Sequence, residues 1–250
     1  MRKPSKLVVP ALLAVLVGPV IVTSGCAAWR LNQTRALVER SEPLQSTPAD
    51  AAQRLLIVGD STGVGTGASA PENSLAGLLA QAFPRLQIDN RAADGALLAD
   101  VRGQLEAVNG RYDLVLVQAG GNDVIRLRSQ DSMRRDIDHV TELARARSDH
   151  VLLMPAGNVG HAPFFFAPVS WLMSARARSL HGAVRETAQQ RGAVYVNLYK
   201  DRQHDPFAQQ PDLLHASDGL HPSDPGYRIW FDELMQQAQL ATLLAPSKAR

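Results

Sequence analysis

The chain of 250 residues predicts an α/β fold, a parallel sheet with helices on both faces. Two observations carry that prediction. Apolar runs of about four residues recur between Arg54 and residue 245, alternating with stretches whose apolar residues keep helical spacing. Small polar blocks follow the first three runs: Gly59-Asp60-Ser61, then Gly95, then Gly121-Asn122-Asp123. Sheets of this kind bind ligands beyond the carboxyl ends of their strands, which is where these blocks fall.

The elements follow in order. Leu55-Leu56-Ile57-Val58 suits a strand buried on both faces. A helix follows over Ser74 to Phe83, with Leu75, Leu78 and Leu79 on one side. Leu86-Gln87-Ile88-Asp89 is the second strand, and Ala96 to Val108 the next helix. Leu114-Val115-Leu116-Val117 is the third strand. A polar helix over Ser132 to Arg147 leads to Val151-Leu152-Leu153-Met154, the fourth. A helix from Leu172 to Gln190 precedes Ala193-Val194-Tyr195-Val196, the fifth, and a last helix covers Pro225 to Leu243. Strands joined through helices need right-handed crossovers, which make the sheet parallel.

The balance of side chains is that of a globular domain, with 45% hydrophobic and 20% charged residues. Leaving Arg2, Lys3 and Lys6 out of the 26 basic residues puts 23 against 24 acidic ones, so the body is near neutral and carries no signature of nucleic-acid binding. Those three residues precede an apolar run from Leu7 to Val22, followed by Thr23-Ser24-Gly25-Cys26. Residues 1–26 thus read as an export signal or a membrane anchor, placing the remainder in the cell envelope. Cys26 is the one cysteine, so no internal disulfide forms. Gly25-Cys26 resembles the lipobox of bacterial lipoproteins, which implies lipidation at Cys26, although Thr23 departs from that motif. Plain cleavage and a retained anchor stay open. Residues 27–53 are polar and mixed, with Pro43 and Pro48, and read as a tether to a domain over 54–245.

The chemistry lies in the polar blocks. An alcohol is a poor nucleophile near neutral pH, so Ser61 needs a base, and His221 is the candidate. Asp218 lies three residues before His221, within one turn, where it can orient the ring and stabilise its protonated form. Acyl transfer also needs donors facing a developing oxyanion. The Ser61 and Gly95 backbone N–H groups and the Asn122 carboxamide are candidates. Asp60 and Asp123 read as residues that order their loops. Taken singly, each block has a plainer reading as a turn glycine, a loop asparagine or a casual Asp–His pair.

Together the blocks resemble the SGNH (GDSL-type) hydrolase family. Ser61 stands in Gly59-Asp60-Ser61, Gly95 lies five residues after Asn90, Asn122 stands in Gly120-Gly121-Asn122-Asp123, and Asp218-Gly219-Leu220-His221-Pro222 closes the set. The second block is the loosest match, with Ala92 and Ala93 where that family varies. The resemblance spans Leu55 to Leu234. It implies a flavodoxin-like three-layer fold with strand order 2-1-3-4-5, and hydrolysis of esters or thioesters with no metal or cofactor. It also implies Ser61 as nucleophile with Asp218 and His221 as its partners, and Ser61, Gly95 and Asn122 as oxyanion donors. The implied partner is a small-molecule ester or acyl substrate.

Other readings compete. Gly63-Val64-Gly65-Thr66-Gly67-Ala68 with Asp89 fits a dinucleotide fingerprint, but that mechanism needs the glycines to open a helix at the strand end, and Pro71 speaks against one. A non-catalytic envelope protein binding an acyl or glycan ligand is a second alternative, and a glycan O-acetylesterase a third. The seven histidines form no metal-ligand spacing, and His204 and His215 read as solvated or capping residues. Phe164-Phe165-Phe166 with Trp171, Leu172 and Met173 is a candidate acyl-pocket wall, lid or bilayer contact; packing over the sheet edge is the commoner fate. Arg176 and Arg178 read as exposed helical residues.

Overall fold

The computed structural model describes residues 28–244; the expected export segment 1–26, with Cys26, lies outside them. Strands β1 (Gln53–Gly59), β2 (Leu86–Asn90), β3 (Leu114–Gln118), β4 (Val151–Leu153) and β5 (Val194–Tyr195) form one sheet in the order β2-β1-β3-β4-β5. Every pairing is parallel, with Leu55 opposite both Ile88 and Leu114. The expected strand order and three-layer architecture are those observed.

In chain order the helices are α1 (28–40), α2 (Ser61–Val64), α3 (Leu75–Ala82), α4 (Leu98–Glu106), α5 (Gly121–Ile125), α6 (Gln130–Arg147), α7 (Val169–Arg191), α8 (Pro206–Gln209), α9 (Pro211–Leu214), α10 (Asp224–Gln237) and α11 (Leu240–Leu243). Alternate strand residues point to opposite faces, so one run feeds two cores. Leu56, Val58, Val115 and Val117 pack with Leu105, Ile137 and Leu180 from α4, α6 and α7. Leu55, Ile57, Leu114 and Leu116 pack on the other face with Leu78 and Leu79 of α3 and Tyr227 and Leu234 of α10. The polar α6 keeps its place through a narrow stripe, Met133, Ile137, Val140, Thr141 and Ala144, at spacings of three and four. Among the described residues no helix is long and apolar enough to cross a membrane.

Two expectations are corrected. The stretch 27–53, read as a tether, carries α1, which packs on the domain with Leu37 2% exposed. The segment after it runs along the edge of the sheet: Ser46 bridges Ile88, and the Gln45 side chain accepts from Asn90 N (3.1 Å) and donates to Asn90 O (2.8 Å), completing an edge strand's hydrogen bonding. The last helix does not run through to Leu243. It stops at Gln237, because Gln239 takes a left-handed conformation (φ 49°) and α11 starts anew.

Candidate active site

The end of β1 sets the position of Ser61. Gly59 has φ +154°, and a Cβ there would lie 1.9 Å from the Gln118 carbonyl oxygen at the tip of β3, so only glycine lets the two strand ends approach this closely. Asp60 N donates to that same carbonyl (2.8 Å). The Asp60 carboxylate then caps α2, accepting from Thr62 N (2.9 Å) and Thr62 Oγ1 (2.7 Å). Ser61 is the first residue of this four-residue helix and looks out at the carboxyl edge of the sheet. Burial raises the Asp60 carboxyl above the usual range, against the opposing pull of its Thr62 bonds.

The loop at the start of α10 brings His221, the candidate base. One oxygen of Asp218 accepts from Leu220 N (2.9 Å) and His221 N (3.1 Å), so the chain wraps around the carboxylate, helped by Gly219 at φ +68°. The other oxygen, Oδ2, meets His221 Nδ1 at 2.6 Å, and His221 Nε2 meets Ser61 Oγ at 2.8 Å. Burial pushes the Asp218 carboxyl upward, but the His221 ring bond and charge and the two backbone donors outweigh it and hold it below its ordinary value. Asp218 is therefore an ionised acceptor, and Nδ1 must carry the proton it receives. A ring carrying its one proton there presents Nε2 as an acceptor for the Ser61 hydroxyl, the arrangement a general base needs. Thr34 Oγ1 also donates to Asp218 Oδ2, at 3.0 Å.

A cavity of about 270 Å³ opens in front of this relay, and Ser61, Gly95, Asn122 and His221 all border it. Asn122 is the second residue of α5, directly beyond β3. Its Nδ2 donates one hydrogen to Ala96 O (3.1 Å), which fixes the amide and leaves the second hydrogen for a ligand. Gly95 has φ +72°, and its carbonyl is held by Arg126 Nη2 at 3.0 Å. Asp123 is fully buried instead, accepting from Leu98 N (3.0 Å); burial pushes its carboxyl up to about 6 despite that bond and the nearby Arg128. It ties α5 to α4.

Several side chains sit elsewhere than expected. The Phe164–Phe166 run does not border the cavity: Phe165 packs on the core, while Phe166, Trp171 and Leu172 are exposed and Met173 is buried. The cavity's apolar walls are Val38, Ile125, Val159, Leu198, Phe207 and Trp230, scattered so widely that no local motif marks them. His204 and His215 do match their expected roles: His204 is exposed, and His215 caps the end of α9, 8% exposed, donating from Nδ1 to Pro211 O (3.0 Å) and packing edge-on to Phe207. Arg176 is engaged with the Val124 and Arg128 carbonyls at the end of α5 rather than with water. The glycines of the dinucleotide-like stretch open no long helix: Gly65 follows α2 directly, and Gly67 abuts the Pro222 carbonyl, where a Cβ would lie at 2.3 Å. Asp89 is engaged with Tyr112 (2.7 Å) and Arg91 (2.6 Å).

A family model for the GDSL-like lipase/acylhydrolase family matches residues 57–229. Solved structures of similar fold include TesA, at 20% identity and a TM-score of 0.60 over 77% of this chain and all (100%) of that one. A lipase/acylhydrolase from Enterococcus faecalis is 19% identical, with a TM-score of 0.59 over 79% of this chain and 100% of its own. A tryptophan-to-isoleucine variant of Axe2, an acetyl xylan esterase from Geobacillus stearothermophilus, is 18% identical, with a TM-score of 0.55 over 80% and 98%. No match to this chain is found among curated proteins.

Proposed function

The chain belongs to the GDSL-like lipase/acylhydrolase family and is an ester hydrolase; on that premise we propose that it cleaves carboxylic esters through an acyl-enzyme on Ser61, with His221 as base and Asp218 orienting it. The observation that supports this most is the continuous relay of Ser61 Oγ to His221 Nε2 at 2.8 Å and His221 Nδ1 to Asp218 Oδ2 at 2.6 Å, at the mouth of a cavity.

Ser61 Oγ attacks the ester carbonyl carbon as its proton passes to Nε2, and the Asp218 carboxylate stabilises the imidazolium so formed. The carbonyl oxygen becomes an oxyanion, met by the Ser61 and Gly95 backbone N–H groups and the free Asn122 amide hydrogen. Collapse breaks the ester C–O bond, and His221 returns the proton to the departing alcohol. Water, deprotonated by the same nitrogen, then attacks the acyl-serine and releases the acid, restoring Ser61.

The apolar walls favour a short or medium acyl group over a charged one, with Val38, Phe207 and Trp230 facing it. The location belongs to the same reading: the basic and apolar segment of residues 1–26 exports the domain to the cell envelope and keeps it near the membrane, through Cys26 or as an anchor. The test is hydrolysis of a p-nitrophenyl ester chain-length series, with acetylated xylan alongside, by the parent chain and by Ser61→Ala. Activity lost in the variant, with the fold retained by circular dichroism, is expected. Equal turnover by both would end the serine mechanism.

A further inference from the structure

We infer that α1 belongs to the catalytic apparatus and that Thr34 is a positioning residue, whose hydroxyl fixes the Asp218 carboxylate and through it the His221 ring; this rests on the esterase reading above. Asp218 is wholly buried and accepts four hydrogen bonds. Three come from Leu220 and His221, its near neighbours in the same loop. Such donors move with the loop, so they shape it without locating it relative to Ser61. The fourth comes from Thr34, 184 residues away in sequence, at 3.0 Å.

The Thr34 bond reaches Oδ2, the oxygen that also receives His221 Nδ1. It therefore resists rotation of the carboxylate about its own axis, which would otherwise carry Oδ2 off the imidazole. The hydroxyl has one hydrogen and two acceptors, Asp218 Oδ2 at 3.0 Å and Arg30 O at 3.1 Å, and the charged oxygen is the stronger.

The helix bearing Thr34 is itself held. Leu37 is buried, Ser41 Oγ donates to Leu37 O (2.7 Å), and the Gln45–Asn90 pair fixes the following segment on the edge of β2. The Arg30 guanidinium lies over the Phe166 ring at 5.0 Å, while Phe164 N donates to Gly219 O at 2.9 Å. The segment Phe164–Phe166 and α1 thus grip the Asp218–His221 loop from two sides. Val38, one turn beyond Thr34, borders the cavity. Helix α1 and the segment through Gln45 lie upstream of residue 57, where the family match begins.

The test uses the full chain with Thr34→Val, which keeps the shape and removes the hydroxyl, and Thr34→Ser, which keeps the donor. With p-nitrophenyl acetate, Thr34→Val should lower kcat about 10- to 100-fold, the worth of one hydrogen bond to a charged group, with KM within about threefold of the parent. Thr34→Ser should recover to within about threefold. Thr34→Val within about twofold of the parent would overturn the inference, as would a Thr34→Ser as slow as Thr34→Val or a loss confined to KM. A second readout needs no turnover: the far-downfield proton resonance of His221 Nδ1 bonded to Asp218. It should move in Thr34→Val and return in Thr34→Ser. An unchanged resonance in both would overturn the inference, whereas a parent chain that hydrolyses no ester while the resonance behaves as stated would count against the esterase reading alone.

Discussion

His181 lies on α7, 4% exposed, where Nε2 donates to Ala156 O at 2.8 Å and Nδ1 faces the Tyr195 hydroxyl at 2.7 Å. Ala156 borders the cavity, so this ring helps hold the site's wall to the helix behind it. Burial lowers its pKa from 6.5 to about 4, with the Ala156 bond opposing. The folded protein therefore keeps the ring neutral to about pH 4, while the unfolded chain takes up a proton near 6.5. Between those values the unfolded state binds more protons, so this group's contribution to stability falls as pH drops from 6.5 toward 4 and levels off below. At about 1.4 kcal/mol per pH unit the full loss is roughly 3 kcal/mol, of which about 2 kcal/mol has gone by about pH 5.

Asp123 works in the opposite direction. Its carboxyl, raised by burial from 3.8 to about 6, makes the folded state the better proton binder in that window, so acidification recovers roughly 3 kcal/mol. The two contributions nearly cancel in the parent chain, and each is isolated by replacing that group and comparing with the parent. Urea unfolding followed by far-ultraviolet circular dichroism, in steps from about pH 7.5 to about pH 4, supplies the stabilities. The parent-minus-variant stability for His181→Gln should fall by about 2 kcal/mol between about pH 7.5 and about pH 5. For Asp123→Asn the same difference should rise on acidification. A His181→Gln difference level to within about 0.5 kcal/mol over that range would refute a neutral buried ring.

Two further outcomes are expected. Asn122→Ala should lower kcat about 10²–10³-fold if its free amide hydrogen meets the oxyanion, checked by steady-state kinetics on p-nitrophenyl esters; a loss below about threefold would leave Asn122 only its bond to Ala96. Intact-mass and peptide mass spectrometry of the protein purified from cells should find a mature N-terminus at an acylated Cys26; an unmodified Cys26 at that terminus, or an intact first segment, would remove the lipid anchor.

The strands were legible because buried parallel strands are continuous apolar runs, whose meaning is local. Leu55–Val58 and Leu114–Val117 declare themselves within four residues, and the observed strands extend them by one or two residues at their ends. The polar blocks were legible for a related reason: Ser61, Asn122 and the Asp218–His221 pair stand at strand ends and in one tight loop, where residue type and spacing are meaningful together. Helix α1 was not. Its inward positions 30, 33, 34, 37 and 38 keep perfect helical spacing, but they are Arg, Gln, Thr, Leu and Val, so hydrophobic periodicity had too little to register.

The sequence by itself thus determined the layered sheet, the order of its strands through a family resemblance, and which residue types stand at the strand ends. Tertiary structure alone decided which distant groups meet: Thr34 with Asp218, Phe164 with Gly219, and a cavity wall drawn from α1, α5, the loop after β4 and α10. Apolar periodicity reports burial of a segment's own face, whereas a polar contact between residues 184 apart leaves no trace in either segment. Such a contact exists only once the sheet has brought the two segments together.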